Sequence, residues 1–151
     1  MTSLYEAAGR FDGLRRLAHA WHERVMADEV VSHAFHGGAR EDHIERLAAY
    51  WAEALGGPAA YSATYGDESY VERLHSGNGE HREMDRRAID CFDAALGDAG
   101  LTAEPLRSVL HEYFSWATTT SMAMYHVSAD DVPPGLTIPR WSWQGLVRPE
   151  S

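Results

Sequence analysis

A chain of 151 residues has the length of one domain and can bury a real core. Its 44% hydrophobic and 24% charged residues, with five Trp, seven Tyr and four Phe, exclude a wholly disordered chain. A formal net charge of −10, with every basic charge an arginine, argues against nucleic acid and anionic membranes as partners.

Apolar residues recur at helical spacing nearly throughout. Ser3-Leu4-Tyr5-Glu6 reads as a capping box that opens a short helix, which Gly9 can end. Asp12 is the expected cap of the next helix, whose buried face is Leu14, Leu17, Trp21 and Val25. A short apolar piece, 30–35, ends at Gly37-Gly38. Ile44, Leu47, Trp51 and Leu55 mark a further helix that Gly56-Gly57-Pro58 stops, since glycine permits left-handed geometry and proline cannot continue the helix. Residues 59–69 read as loop, followed by a short helix ending near His75 at the breaker Ser76-Gly77-Asn78-Gly79.

A long helix is expected over about 80–96, with Met84, Ala88, Cys91, Phe92 and Ala95 inward. Thr102 is the expected cap of the last long helix, with Glu104 and Pro105 in its first turn and Leu106, Val109, Leu110, Tyr113, Phe114 and Ala117 on its apolar face. No alternating segment is long enough to predict a strand. After Asp130-Asp131-Val132-Pro133-Pro134 the tail carries Trp141 and Trp143, which are costly to leave in water, so the tail is expected to dock. A strap across the helices is the favoured form; a lid over a ligand pocket, or a contact with a second subunit, is the alternative.

The N-terminus lacks the basic-then-apolar pattern of a secretory signal, and no apolar stretch is long enough to span a bilayer. Cys91 is the only cysteine, which excludes an internal disulfide and suits a cytoplasmic location. On an inward face it reads as a small core residue rather than a nucleophile.

Nine histidines are unusual for such a chain. None forms an HExxH motif, no glycine-rich turn follows a strand, and no serine sits in a nucleophile elbow. By spacing alone, His75 is a polar residue beside a loop, and His22 and His43 are boundary residues beside the Trp21 and Leu47 stripes. The same His75, at the end of a short helix, is also of the residue type that holds iron in haem proteins.

Three stretches resolve that ambiguity by resemblance: 21–30 with Ala34-Phe35; Leu47 to Tyr61-Ser62 with Gly56-Gly57-Pro58; and Arg73-Leu74-His75. Over about residues 4–126 the chain resembles the truncated haemoglobins, most closely their second group. That resemblance implies an all-α truncated globin fold, a two-over-two helical sandwich over residues 1–128, with an extension over 129–151.

It also implies haem b, with His75 as the proximal iron ligand and Phe35 packed on the haem face. Leu47 and Tyr50 would line the distal side, and Arg73 would pair with a propionate. The distal side departs from the group. His22 stands where the group usually has Tyr, and Ala88 where it has Trp on the helix after the proximal His. His43 takes a distal position on its helix and is the first candidate for a distal ligand, with His22 second.

The implied function is binding of O2, CO, NO or another diatomic ligand, with peroxidase or NO-dioxygenase chemistry as a redox extension and a reductase, not identified by the sequence, as partner. A haem-based sensor or haem-handling protein is the second reading, and a helical protein with a non-haem metal, or with no cofactor, the third. Oligomerisation is compatible with all three.

Overall fold

The computed structural model describes residues 2–32, 42–74, 82–121, 130 and 132–147. Four long helices make the body: α2 (Arg10–Met26), α3 (His43–Ala54), α6 (Arg82–Asp98) and α7 (Leu106–Trp116). Three short ones fill the gaps: α1 (Leu4–Ala7), α4 (Ala60–Thr64) and α5 (Glu68–Leu74). A π-turn, Ala117–Ser121, extends α7. α2 packs on α3 and on α6, and α6 on α7, so the α2–α3 pair lies against the α6–α7 pair.

The pairs are joined by one aromatic side chain from each long helix. Trp21 meets Trp51 edge-on at 6.3 Å between ring centroids and Phe114 at 5.8 Å. Trp51 meets Phe92 at 5.5 Å, and Phe92 stacks on Phe114 at 4.2 Å with planes 2° apart. The edge-on contacts are a preferred geometry of aromatic pairs, each adding roughly 1 kcal/mol beyond its area. The predicted faces are buried in α2 (Leu14, Leu17, Trp21, Val25) and, largely, in α6 (Ala88, Phe92, Ala95) and α7 (Leu106, Leu110, Tyr113, Phe114). Met84, Cys91, Val109 and Ala117 are only partly covered.

Helix ends are set partly by different residues from those expected. The Ser3 hydroxyl accepts from the Glu6 N–H at 3.1 Å, as the capping box predicts. Asp12 does not cap α2. Gly9, at φ 95°, is its N-cap, and Asp12 lies in the first turn. The left-handed turn is one that glycine adopts without strain. Gly13 then lies so close to the Ala8 carbonyl that a Cβ there would come within 1.9 Å of its oxygen.

Thr102 does not cap α7 either. Pro105 is the N-cap residue, and the Glu104 carboxylate reaches forward to the Ser108 N–H at 3.1 Å and to the Ser108 hydroxyl. Residues 60–64, expected in a loop, form α4 because Glu53, buried on α3, accepts from the Ser62 N–H at 2.8 Å and from its hydroxyl at 2.5 Å.

The tail, where no strand was predicted, contains an antiparallel hairpin: β1 (Arg140–Ser142) pairs with β2 (Gly145–Val147), with Trp141 opposite Leu146. Three-residue strands lie below the length at which alternation is readable. Trp141 is buried against Tyr113 (5.9 Å) and Trp116 (5.8 Å) of α7, and the Trp143 indole N–H donates to the Thr2 carbonyl at 2.7 Å. Among the described residues no helix is long and apolar enough to cross a membrane.

Candidate functional site

The α3 helix changes character along its length. From Ala48 to Leu55 every residue is buried, while His43, Ile44 and Leu47, in its first turns, are only partly covered. The reading of Ile44 and Leu47 as core therefore holds in part. An amphipathic helix normally hides its apolar stripe along its whole length. Here the stripe is left half open at one end, and that end carries His43.

Opposite it, on α2, stands His22, the residue after the core indole Trp21. The two imidazoles, 21 positions apart in the chain, meet at 5.0 Å between centroids with planes tilted by 53°. Nδ1 of His22 and Nε2 of His43 are both shut off from solvent. Burial lowers the His22 pKa, the nearby His19 lowers it further, and Glu23 opposes both. The His22 ring is accordingly held neutral at pH 7, one nitrogen a donor and the other an acceptor.

Trp21, the residue before His22, is buried in the core. Its indole N–H donates to the Ala88 carbonyl of α6 at 3.1 Å. Ala88 is itself buried. The methyl side chain at 88 thus leaves the α6 backbone accessible to an indole from α2. Trp141 and Trp143 are engaged elsewhere, with α7 and the N-terminal segment.

Tyr50 is buried two turns along α3 from His43 and donates to both carboxylate oxygens of Glu68 on α5, at 2.9 and 2.7 Å. Its ring meets that of Tyr61 edge-on at 5.5 Å. Glu68 is 2% exposed, and burial raises its pKa to about 7 against the opposing Tyr50 hydrogen bond, with Glu72, Asp67 and Glu53 adding to the rise. Burial likewise raises Tyr50 well above the usual phenol range. The sequence pattern gave no warning of this pair. Glu68 fell in a segment read as loop, and a carboxylate on an inward face breaks the apolar spacing that reveals a core.

The structure brings His22 and His43 together through α2 and α3, with Leu47 one turn beyond His43, while Ala88 on α6 meets Trp21, the residue before His22, through its carbonyl. Phe35 and His75 lie outside the described residues, and the side chain of Arg73 is likewise not described. Among the described residues no group of three or more His, Cys, Asp or Glu side chains is placed to hold a metal ion. A surface trough of about 1310 Å³ between α2, α3 and the α6–α7 turn is polar, lined by Arg15, His19, Glu45 and Asp98 among others. It is crossed by the Arg15–Glu45 ion pair at 2.6 Å, and neither His22 nor His43 lines it.

Comparison with known proteins bears on the family and the fold. The family model of bacterial-like globins matches residues 3–123. The haemoglobin of Chloroflexus aurantiacus is 28% identical, with a TM-score of 0.70 over 81% of this chain and 98% of that one. A thermostable haemoglobin from Thermobifida fusca is 26% identical, with a TM-score of 0.69 over 82% and 98%. The group II truncated haemoglobin of Bacillus anthracis shares the fold at a TM-score of 0.73 over 83% and 94%, at 17% identity. No curated protein matches the chain.

Proposed function

The chain belongs to the bacterial-like globins, a haem-binding family with the truncated globin fold, and from that premise we propose that it holds haem b through His75 and binds O2, CO or NO there. The observation that carries the distal half of the proposal is the His22–His43 pair at 5.0 Å, with the polar atoms Nδ1 and Nε2 closed off from water. The donor set suits the group. Imidazoles supply hydrogen bonds and a ligand for iron, and Leu47 supplies apolar wall.

The haem supplies the iron that binds the diatomic ligand. The chain supplies the rest. His75 would hold the iron, Phe35 would pack against the haem, Arg73 would pair with a propionate, and Leu47 and Tyr50 would line the side opposite His75. His43, with His22 beside it, would donate a hydrogen bond to a ligand carrying partial negative charge. In a dry pocket that bond contributes on the order of 1 kcal/mol or more. Residues 1–128 form the globin unit and 129–151 an extension, whose Trp141 packs on α7 and whose Trp143 bonds to Thr2. The single Cys91 fits a reducing cytoplasm.

Absorption spectra of the ferric, ferrous and CO-bound forms test the reading. We expect a Soret band that His75→Ala abolishes or strongly shifts, and CO affinity or coordination that changes more in His43→Ala than in His22→Ala. A colourless chain that ignores added haemin overturns it. Redox turnover is a second reading, favoured by the same paired imidazoles, which can accept and return a proton. Unchanged peroxide turnover in both alanine variants would remove it.

A further inference from the structure

α5 has seven residues, too few to stand as a helix without tertiary support. Its own first turn is capped by Asp67, which accepts from the Tyr70 N–H at 2.9 Å. Much of what ties it to the rest of the molecule comes from far along the chain. The Ser69 hydroxyl, fully buried, donates to the Pro133 carbonyl at 2.6 Å and accepts from the Leu136 N–H at 2.8 Å. The Glu68 N–H donates to the Leu136 carbonyl at 3.1 Å. Leu136 thus spends both backbone polar groups on two successive residues of α5.

The segment that makes these bonds is itself fixed. Val132 and Ile138 flank it and are buried, Trp141 is packed between Tyr113 and Trp116, and Trp143 is tied to Thr2. A rigid tail anchored on α7 and the N-terminus therefore grips the start of α5. The residue that follows the last residue of α5 in the chain is His75.

We propose that residues 132–141 are a proximal clamp, and that Ser69 is a positioning residue that fixes α5 and, through it, the presentation of His75 to iron. The clamp rests on the reading of His75 as the iron ligand. It acts on the helix leading to that ligand rather than as a cover on the His22–His43 side. Ser69 suits this role because one buried hydroxyl both donates and accepts, so its loss releases two backbone groups of the tail at once.

The test uses the full-length, haem-loaded chain. The iron–imidazole stretching band of the ferrous, ligand-free form is recorded by resonance Raman, and haem loss is timed by transfer to excess apomyoglobin. Ser69→Ala is expected to shift the band from its wild-type frequency and to speed haem loss about tenfold, the factor expected when a pair of partly buried hydrogen bonds is lost. Leu136→Pro, which deletes the N–H facing the Ser69 oxygen, should shift the band the same way and serves if Ser69→Ala folds poorly. Trp143→Phe, which loosens only the far end of the tail, should leave the band in place.

A wild-type band in both Ser69→Ala and Leu136→Pro overturns the clamp. So does an equal shift in Trp143→Phe, because general loosening then explains the effect. The two readings fail separately. A band that survives His75→Ala removes the iron-ligand assignment. A band lost in His75→Ala but unmoved in both Ser69→Ala and Leu136→Pro removes only the clamp.

Discussion

The Tyr50 hydroxyl on α3 donates to the Glu68 carboxylate on α5, 2.7 and 2.9 Å from its two oxygens, in a site from which Glu68 is 98% withdrawn from solvent. Burial raises the Glu68 pKa from 4.5 to about 7. A carboxyl whose folded pKa lies above its unfolded value binds more protons when folded between the two. Its contribution to stability is therefore full below about pH 4.5 and is lost as pH rises toward 7. The loss is on the order of 3 kcal/mol. Urea unfolding of the wild type and Glu68→Gln at pH 5 and 8 should show the glutamine variant gaining relative stability at pH 8. A constant difference between the two proteins across that range would contradict the burial argument.

Tyr50→Phe reads the same pair from the other side. The phenol stabilises the ionised carboxylate, so its removal pushes the Glu68 pKa higher still. At pH 8 the variant leaves a buried charge without its donor, a loss of about 2–3 kcal/mol. At pH 5 the carboxyl is protonated and the loss falls to about 1 kcal/mol. Denaturation midpoints at the two pH values check this. Equal losses would mean that Tyr50 contributes packing alone.

The long helices were legible in the sequence because burial imposes spacing. Leu14, Leu17, Trp21 and Val25 fall every three or four residues, and all are buried. Helix starts were less legible, because several residue types can satisfy the same free N–H groups. Asp12 and Thr102 have the right chemistry, but Gly9 and Glu104 have the right places. The hairpin and α4 are too short for periodicity to show and depend on distant partners, Glu53 for α4 and α7 for Trp141.

The candidate site was legible only in part. His22 and His43 each sit at the edge of an apolar stripe, and nothing local shows that α2 and α3 will bring them to 5.0 Å. The resemblance to truncated haemoglobins supplied that juxtaposition. It could not supply Tyr50–Glu68 or Ser69–Leu136, which join segments 18 and 67 residues apart through polar groups that no hydrophobic pattern records.

His22 should titrate below the usual histidine range, since burial and then His19 disfavour its charged form more than Glu23 favours it. The sign is opposite to that of Glu68. A base with a depressed folded pKa binds fewer protons when folded, so its penalty appears as pH falls below about 6.5. An NMR titration of the imidazole Cε1–H resonances in the wild type, assigned by the loss of one signal in His22→Ala, gives the midpoint. A His22 midpoint at or above the ordinary value would contradict a partly buried, neutral ring.

Trp21→Phe tests what holds the His22–His43 pair in place. The indole joins α2 to α6 through the Ala88 carbonyl at 3.1 Å and meets Trp51 and Phe114 edge-on. Phenylalanine keeps one ring but loses the N–H and leaves space beside α6. Together these effects should cost about 2–4 kcal/mol. For a chain of this length that is a fall in Tm of roughly 4–12 °C, measured on the haem-loaded protein. Since His22 is the next residue on α2, the same variant should also alter the CO-bound spectrum, as loosening Trp21 frees His22 to reorient toward His43. A Tm drop with an unchanged CO spectrum would separate the two roles and show that α2 holds His22 without the Trp21–Ala88 bond.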